Sequence, residues 1–373
     1  MTKGLFIINS PSVIEKNTGI SNKIKTQIEL LSKYDLNCQM YVLSDGVHDI
    51  SLNLRRLHMI SPWGNIFPQW HYSDEITNSD YIYLRRPQII KRPMIRFFKL
   101  AKKNNPLIKV ILEIPTYPYD QEQRRKWFKW LDQYYRRKLY GLVDLITYIG
   151  NPVPSGKLWR IRAIQLYNGI SVKAVKVIEP KPHNGINILC ISSCEFWHGY
   201  ERLLYGVTDY LSMSNNPKEF HVNIVGDGPY LNLYKKIVSD NSIEKYVKFL
   251  GELKGEELDA LYDSIDISIG TLGCHRKNLT VSSELKSRES FAKGIPFAGS
   301  CDIDIFMAHP TEYFLKLQEG ESPVQIESII NFTETIYSSS SRKQVISNIR
   351  NYAVKYMDYE RVFEPVISFI KNR

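Results

Sequence analysis

Short apolar runs of strand length recur along the chain, separated by stretches in which apolar residues take helical spacing. In the first half they fall at 5–8, 39–43, 81–84, 109–114, 142–148 and 163–167. A second series starts afresh at 186–192 and continues at 221–225, 247–250, 266–269 and 296–298. Strands alternating with helices predict parallel sheets covered by helices, so two doubly wound α/β units are expected. Between the two series, residues 177–185 hold two prolines and an Asn-Gly, the mark of an exposed connection. The expected organisation is a first domain over 1–176, a hinge over 177–185 and a second domain over 186–355. Tyr359, Val362, Phe363, Val366, Ile367 and Ile370 form a further helical stripe within 356–373.

At 373 residues the chain exceeds what one core usually organises, in keeping with two domains. A hydrophobic content of 43% and a charged content of 24% are those of a soluble globular protein. No run reaches the roughly 20 apolar residues that span a bilayer, and residues 4–9 read as a first strand, not a signal-peptide core. A cytoplasmic location is expected. Cys38, Cys190, Cys194, Cys274 and Cys301 lack any zinc or redox spacing, which fits a reducing compartment and assigns them no chemistry. The net charge of +10 is uneven: residues 1–180 carry 28 Lys/Arg against 14 Asp/Glu, the remainder 21 against 25. That asymmetry points to an anionic partner for the first half, or to a scattered solvated surface.

The most informative stretch is Leu285-Lys286-Ser287-Arg288-Glu289-Ser290-Phe291-Ala292-Lys293-Gly294-Ile295-Pro296. A helix opening here presents unpaired N–H groups and partial positive charge, which favour phosphate, while Glu289 is an acceptor for paired hydroxyls. An ordinary amphipathic helix ending at Gly294 is the alternative. Upstream stand Val225-Gly226-Asp227-Gly228-Pro229 after a strand, Phe249-Leu250-Gly251-Glu252-Leu253, and a helix over 256–262 leading into the strand at 265–269. Taken in this order, these motifs resemble the second domain of retaining GT-B glycosyltransferases, in particular glycosyltransferase family 4 (glycosyl transferases group 1), with a divergent donor-site motif. The resemblance implies two Rossmann-like domains facing each other across a cleft, the first binding acceptor and the second nucleotide sugar. It also implies a final helix, 356–373, crossing back to the first domain.

In that family Glu289 takes the ribose hydroxyls, and Gly226, Leu253 and Leu285 line the donor. Two departures stand out. The family carries a second glutamate eight positions before Glu289, where this chain has Val281; Glu284 is the nearest carboxylate, three places out of register. The family's phosphate clamp is an arginine followed, after five residues, by Lys-Gly; here Ser192 and His198-Gly199 stand in those places. The resemblance implies no bound metal and no cofactor, the nucleotide sugar being a substrate, so developing diphosphate charge needs other donors. The candidates are Lys286 with Arg276 or Arg288, and His198, whose alternative is a satisfied polar residue at a helix start. Lys286 and Arg288, two apart, cannot share one helix face.

In the first domain, Gly19 in the loop after the first strand is the candidate for backbone approach to the donor phosphate, the alternative being a plain N-cap by Thr18 or Ser21. Glu113 ends the fourth strand run, where relatives often keep a histidine near the reacting sugar; it orients a hydroxyl or is a buried structural carboxylate. Residues 121–140 carry seven Lys/Arg against two acids. The stripe Trp127, Trp130, Leu131, Tyr134 and Tyr135 is expected to pack on the sheet, its basic flanks offering a landing surface for anionic lipid. Together these readings imply a hexosyl-type, metal-independent transferase that uses a nucleotide-diphosphate sugar, UDP-sugar favoured. The acceptor expected is a saccharide, lipid-linked, in cell-surface polysaccharide or glycoconjugate assembly at the inner membrane face. The competing readings are a non-catalytic GT-B-like subunit and, on net charge alone, a nucleic-acid binder, for which no recognition motif is present.

Overall fold

The computed structural model describes residues 2–8, 19–42, 46–48, 70, 72–120, 125–277 and 279–372. The chain divides into two units, Met1–Leu166 with Val362–Arg373, and Tyr167–Arg361.

The first unit is built on β1 (Gly4–Ile8), β2 (Cys38–Val42), β3 (Gly46–His48), β4 (Tyr81–Arg85), β5 (Lys109–Tyr117), β6 (Leu145–Gly150), β7 (Lys157–Leu158) and β8 (Ile161–Gln165). Their order across the sheet is β3-β2-β1-β4-β5-β6-β8-β7. Only β3 and β7 run antiparallel to their neighbours. The central strands are buried on both faces, as parallel strands under helices must be. The helices are α1 (Gly19–Lys33), α2 (Asp74–Thr77), α3 (Arg92–Asn104) and α4 (Lys126–Arg136). The apolar stripe near the C-terminus resolves into a single helical turn, Tyr359–Val362, and a helix, Glu364–Lys371, with Pro365 in its first turn. Phe363 is buried edge-on against Tyr83, 5.6 Å between ring centres. Lys109 Nζ donates to the carbonyls of Phe369 (3.0 Å) and Ile370 (2.8 Å), placing a cation at the negative end of that helix.

Helix α4 meets the expectation only in part: of the expected stripe, Tyr135 packs against the core and Leu131 is half-buried, but the other three residues face outward. Phe128 and Asp132 are buried, whereas Trp127, Trp130 and Tyr134 are exposed. The orientation follows from Asp132, whose carboxylate accepts the Ile90 N–H (2.7 Å) and the Tyr119 hydroxyl (2.8 Å). A carboxylate holding two buried donors fixes which face points inward, and aromatic size does not override it.

In the second unit β9 (Ile186–Ile191), β10 (Phe220–Val225), β11 (Val247–Phe249), β12 (Ile267–Ile269), β14 (Phe297–Gly299) and β16 (Phe314–Lys316) form a wholly parallel sheet. Its order is β11-β10-β9-β12-β14-β16, and β13 (Val281–Ser282) pairs separately with β15 (Asp302–Ile303). The order reverses between β9 and β12, so the crevice beyond the carboxyl ends of those two strands is where such a sheet receives ligands. Helices α5 (Tyr200–Met213), α6 (Leu231–Asp240), α7 (Glu256–Tyr262), α8 (Leu285–Lys293), α9 (Asp304–Ala308), α10 (Ile326–Ser338) and α11 (Arg342–Tyr356) cover it. Val172 and Ile178 are buried in this unit's core, and the Ile178 N–H reaches the Lys293 carbonyl. The stretch 177–185 therefore lies with the second unit. Cys274 and Cys301 form a disulfide, a pairing that their 27-residue separation conceals and that the neighbouring loops after β12 and β14 bring about.

Because Phe363 is buried against the β4 strand, Phe363→Ala is expected to cost about 3–5 kcal/mol, measured as a lowered midpoint of chemical unfolding.

Candidate functional site

Three elements meet at the crevice of the second unit: the start of α5, the start of α8, and the turn that follows β12. Gly199 allows the first meeting. It precedes α5 with φ +68, and a Cβ there would sit 2.8 Å from the Gly273 nitrogen. Only a glycine lets the chain turn into the helix this close to the 272–273 backbone. Gly226 has the same duty between β9 and β10, since a Cβ on it would meet the Ser192 carbonyl oxygen at 1.8 Å. Its N–H is spent on the Gly251 carbonyl. Leu253, with Leu250, Leu258 and Leu261, packs against the buried cluster that holds Val225, Tyr262 and Ile178.

At the start of α8 the side chains divide by face. Arg288 points inward and is fully buried, paired with the equally buried Asp304. Its remaining donors go to the carbonyls of Asn168 (3.0 Å) and Glu284 (3.3 Å) and the hydroxyls of Ser287 (2.9 Å) and Ser283 (3.3 Å). Arg288 thus builds the helix start and has no donor left for a ligand. Lys286 lies on another face. Its Nζ is shut off from solvent, has no hydrogen-bond partner, and sits 5.8 Å from the centre of the Tyr200 ring at the start of α5. Burial lowers its pKa, opposed by Glu284.

Glu284, at the N-cap of α8, turns its carboxylate towards β12. One oxygen accepts from both the N–H and the hydroxyl of Thr271, each at 3.1 Å. The other is buried without a partner, 2.6 Å from where a Cβ on Gly270 would lie. Thr271 and Gly270 were not singled out from sequence; the signal was the Gly-Thr directly after a strand that faces the α8 start. Glu289 lies one turn further along α8. Burial raises its pKa, with Lys293 opposing and Asp259 adding.

His198 is buried. Its Nδ1 accepts the Glu195 N–H at 2.9 Å, which leaves Nε2 as the protonated nitrogen of a neutral ring. Burial, reinforced by Lys286 and Lys277, pushes its pKa down to about 3. At neutral pH the ring can donate one hydrogen bond but supplies no positive charge. Arg276 is held by Glu201 and Glu321 and donates to the Phe196 carbonyl. It braces the 196–198 turn.

Two further candidates lie in the first unit. Gly19 opens α1, and the rest of its loop falls outside the described residues. Glu113 is buried, and one of its oxygens accepts from Lys23 (3.1 Å) and Arg85 (2.9 Å), neither of which sequence reasoning identified as its partner. Burial works to raise its pKa, but the two cations outweigh it and hold the carboxylate ionised. An ionised, doubly paired carboxylate orients donors and is a poor proton acceptor.

No known family model matches the sequence, and no curated protein sequence matches it. Solved structures do match in shape. A glycosyltransferase from Rickettsia africae aligns with a TM-score of 0.64 at 11% identity, over 100% of this chain and 99% of that one. Anabaena HepE in complex with UDP aligns at 0.60 and 12%, over the whole of both chains. The lipopolysaccharide outer core galactosyltransferase WaaB aligns at 0.60 and 14%, over 99% of this chain and 100% of that one. At these identities the likeness is one of fold, and the fold is GT-B.

Removing one partner of the buried pair, as in Asp304→Ala, is expected to cost about 3–5 kcal/mol, read as a lowered unfolding midpoint. The unfolded chain protonates His198 near its ordinary value of 6.5, whereas the folded ring resists until about 3. Protons therefore favour the unfolded state within that window, and stability should fall as pH drops through it. Thermal melts of His198→Asn across the window should show a shallower acid dependence than the parent.

Proposed function

We propose that the chain is a retaining, metal-independent hexosyltransferase whose second unit binds a nucleotide-diphosphate sugar. The observation that carries this reading is the Lys286 ammonium, closed off from water and without a hydrogen-bond partner beside the starts of α5 and α8. A buried cation with no hydrogen-bond acceptor is costly until an anion arrives. Two converging helix starts favour the same anion through their free N–H groups. A diphosphate supplies two or more anionic oxygens to such a place. The His198 Nε2–H adds a neutral donor, and the Glu289 carboxylate one turn along α8 is the partner for ribose hydroxyls.

In this reading Glu284 takes over from the glutamate that Val281 replaces. Its unpartnered oxygen accepts a hydroxyl of the transferred sugar, while Thr271 holds the other oxygen in place. UDP is the favoured nucleotide, a choice supported by HepE, whose structures are described with UDP, with UDP and glucose, and with UDP-glucose. In the reaction the bond between the anomeric carbon and the diphosphate oxygen breaks and one to the acceptor oxygen forms on the same face. The acceptor's proton passes to the departing diphosphate. Lys286 stabilises the charge that develops there, and no protein nucleophile is required. Glu113 orients the acceptor, a lipid-linked saccharide.

A second reading, a non-catalytic GT-B subunit, draws on Arg276 and Arg288 both being committed to internal carboxylates. The two readings part on one experiment. UDP should raise the melting temperature of the purified chain, and transfer or hydrolysis of a UDP-sugar should be detectable. Lys286→Ala should lower turnover by at least about tenfold, the loss seen when one charge-stabilising donor is removed, with a melting temperature in the absence of nucleotide that does not fall. Nucleotide binding without turnover selects the second reading; neither binding nor turnover rejects both.

A further inference from the structure

The outward face of α4 presents three large aromatic side chains: Trp127 is 53% exposed, Trp130 66% and Tyr134 46%. Spaced three and four apart, they form one ridge along the helix, on the side away from the buried Phe128 and Asp132. Residues 125–138 hold six Lys/Arg, and their one acid, Asp132, is buried. Arg125, Lys126, Arg137 and Lys138 are exposed beside the ridge. We infer that this ridge is a membrane-docking element: Trp127, Trp130 and Tyr134 enter the interfacial layer of an anionic bilayer while the flanking cations sit among its headgroups.

The chemistry selects that occupant. Trp and Tyr pair an apolar ring with a polar edge and settle at the level of lipid headgroups. A second copy of the chain would have to bring an identical cationic face against this one, with no exposed acid on the segment to meet it. For nucleic acid the aromatics would need open faces for stacking bases. Here Trp130 lies parallel to Tyr134 at 6.0 Å, Trp127 lies on Phe128 at 3.8 Å, and Lys138 covers the Tyr134 ring at 4.1 Å. The inference is also distinct from landing on basic charge alone, because burial of aromatic rings leaves a part of the binding that salt does not screen. It does not depend on the proposed sugar transfer.

The test uses the full chain and vesicles of phosphatidylcholine with or without phosphatidylglycerol, followed by flotation and tryptophan emission. The chain is expected to float with the anionic vesicles, with a blue-shifted emission and a fraction that stays bound at high salt. The double variant W127S/W130S, altered only at exposed positions, should keep its melting temperature and lose at least about tenfold in partitioning. Lys126→Gln with Lys129→Gln should lose only the salt-sensitive part. The inference is overturned if the parent does not float, or if the tryptophan variant floats as the parent does. It is overturned as well if the ridge proves to serve another occupant. Concentration-dependent self-association that W127S/W130S abolishes would point to a second copy, and retention of an oligonucleotide in preference to vesicles would point to nucleic acid.

Discussion

The arrangement of the candidate site rests on one buried guanidinium. Arg288 joins the start of α8 to Asp304, to the Asn168 carbonyl and to the serines beside it, and no part of it meets solvent. A charge so far from water is tolerable only when paired and hydrogen-bonded throughout, and every neighbour it uses is thereby fixed as well. Among those neighbours is the carbonyl of Glu284, the N-cap residue. Whatever α8 offers to a ligand is aimed by a residue that never touches one.

This separates two kinds of charge on a single helix. Arg288 is satisfied and structural, while Lys286, two positions earlier and so on a different face, is buried and left without a hydrogen-bond partner. The same division recurs across the unit. Arg276 is satisfied by Glu201 and Glu321, whereas Glu284 has one oxygen satisfied by Thr271 and one left over. At the start of α8 one cationic and one anionic group, Lys286 and Glu284, each keep a buried atom without a hydrogen-bond partner, so a ligand that completes both would be selected by both charge signs.

The alternation of strand and helix was legible because parallel strands buried on both faces read as continuous apolar runs, and the second sheet follows them closely. Strands β13, β15 and β16 were not legible: at two or three residues each they carry no periodicity of their own. At the candidate site, motif position singled out Glu289 and Lys286 as candidates, but spacing could not say which cations the fold would consume internally, and Arg276 and Arg288 are both spent that way. Helix α4 exposes the limit most plainly. An apolar stripe was read as the inward face because burial of aromatics is the larger energy. The two hydrogen bonds to Asp132 come from Ile90 and Tyr119, distant in sequence, and no local pattern announces them.

The first unit is discontinuous in the chain, since the helix Glu364–Lys371 is docked within it, with Phe363 on Tyr83 and Lys109 at the far end. On a ribosome, which delivers the chain from its N-terminus, the first sheet would emerge long before the segment that covers this part of it. The second unit, by contrast, is one uninterrupted stretch. The order of synthesis and the order of completion are therefore inverted: of the two units, the one made second can close first, and the one made first carries an open apolar face until the whole of the second has been synthesised.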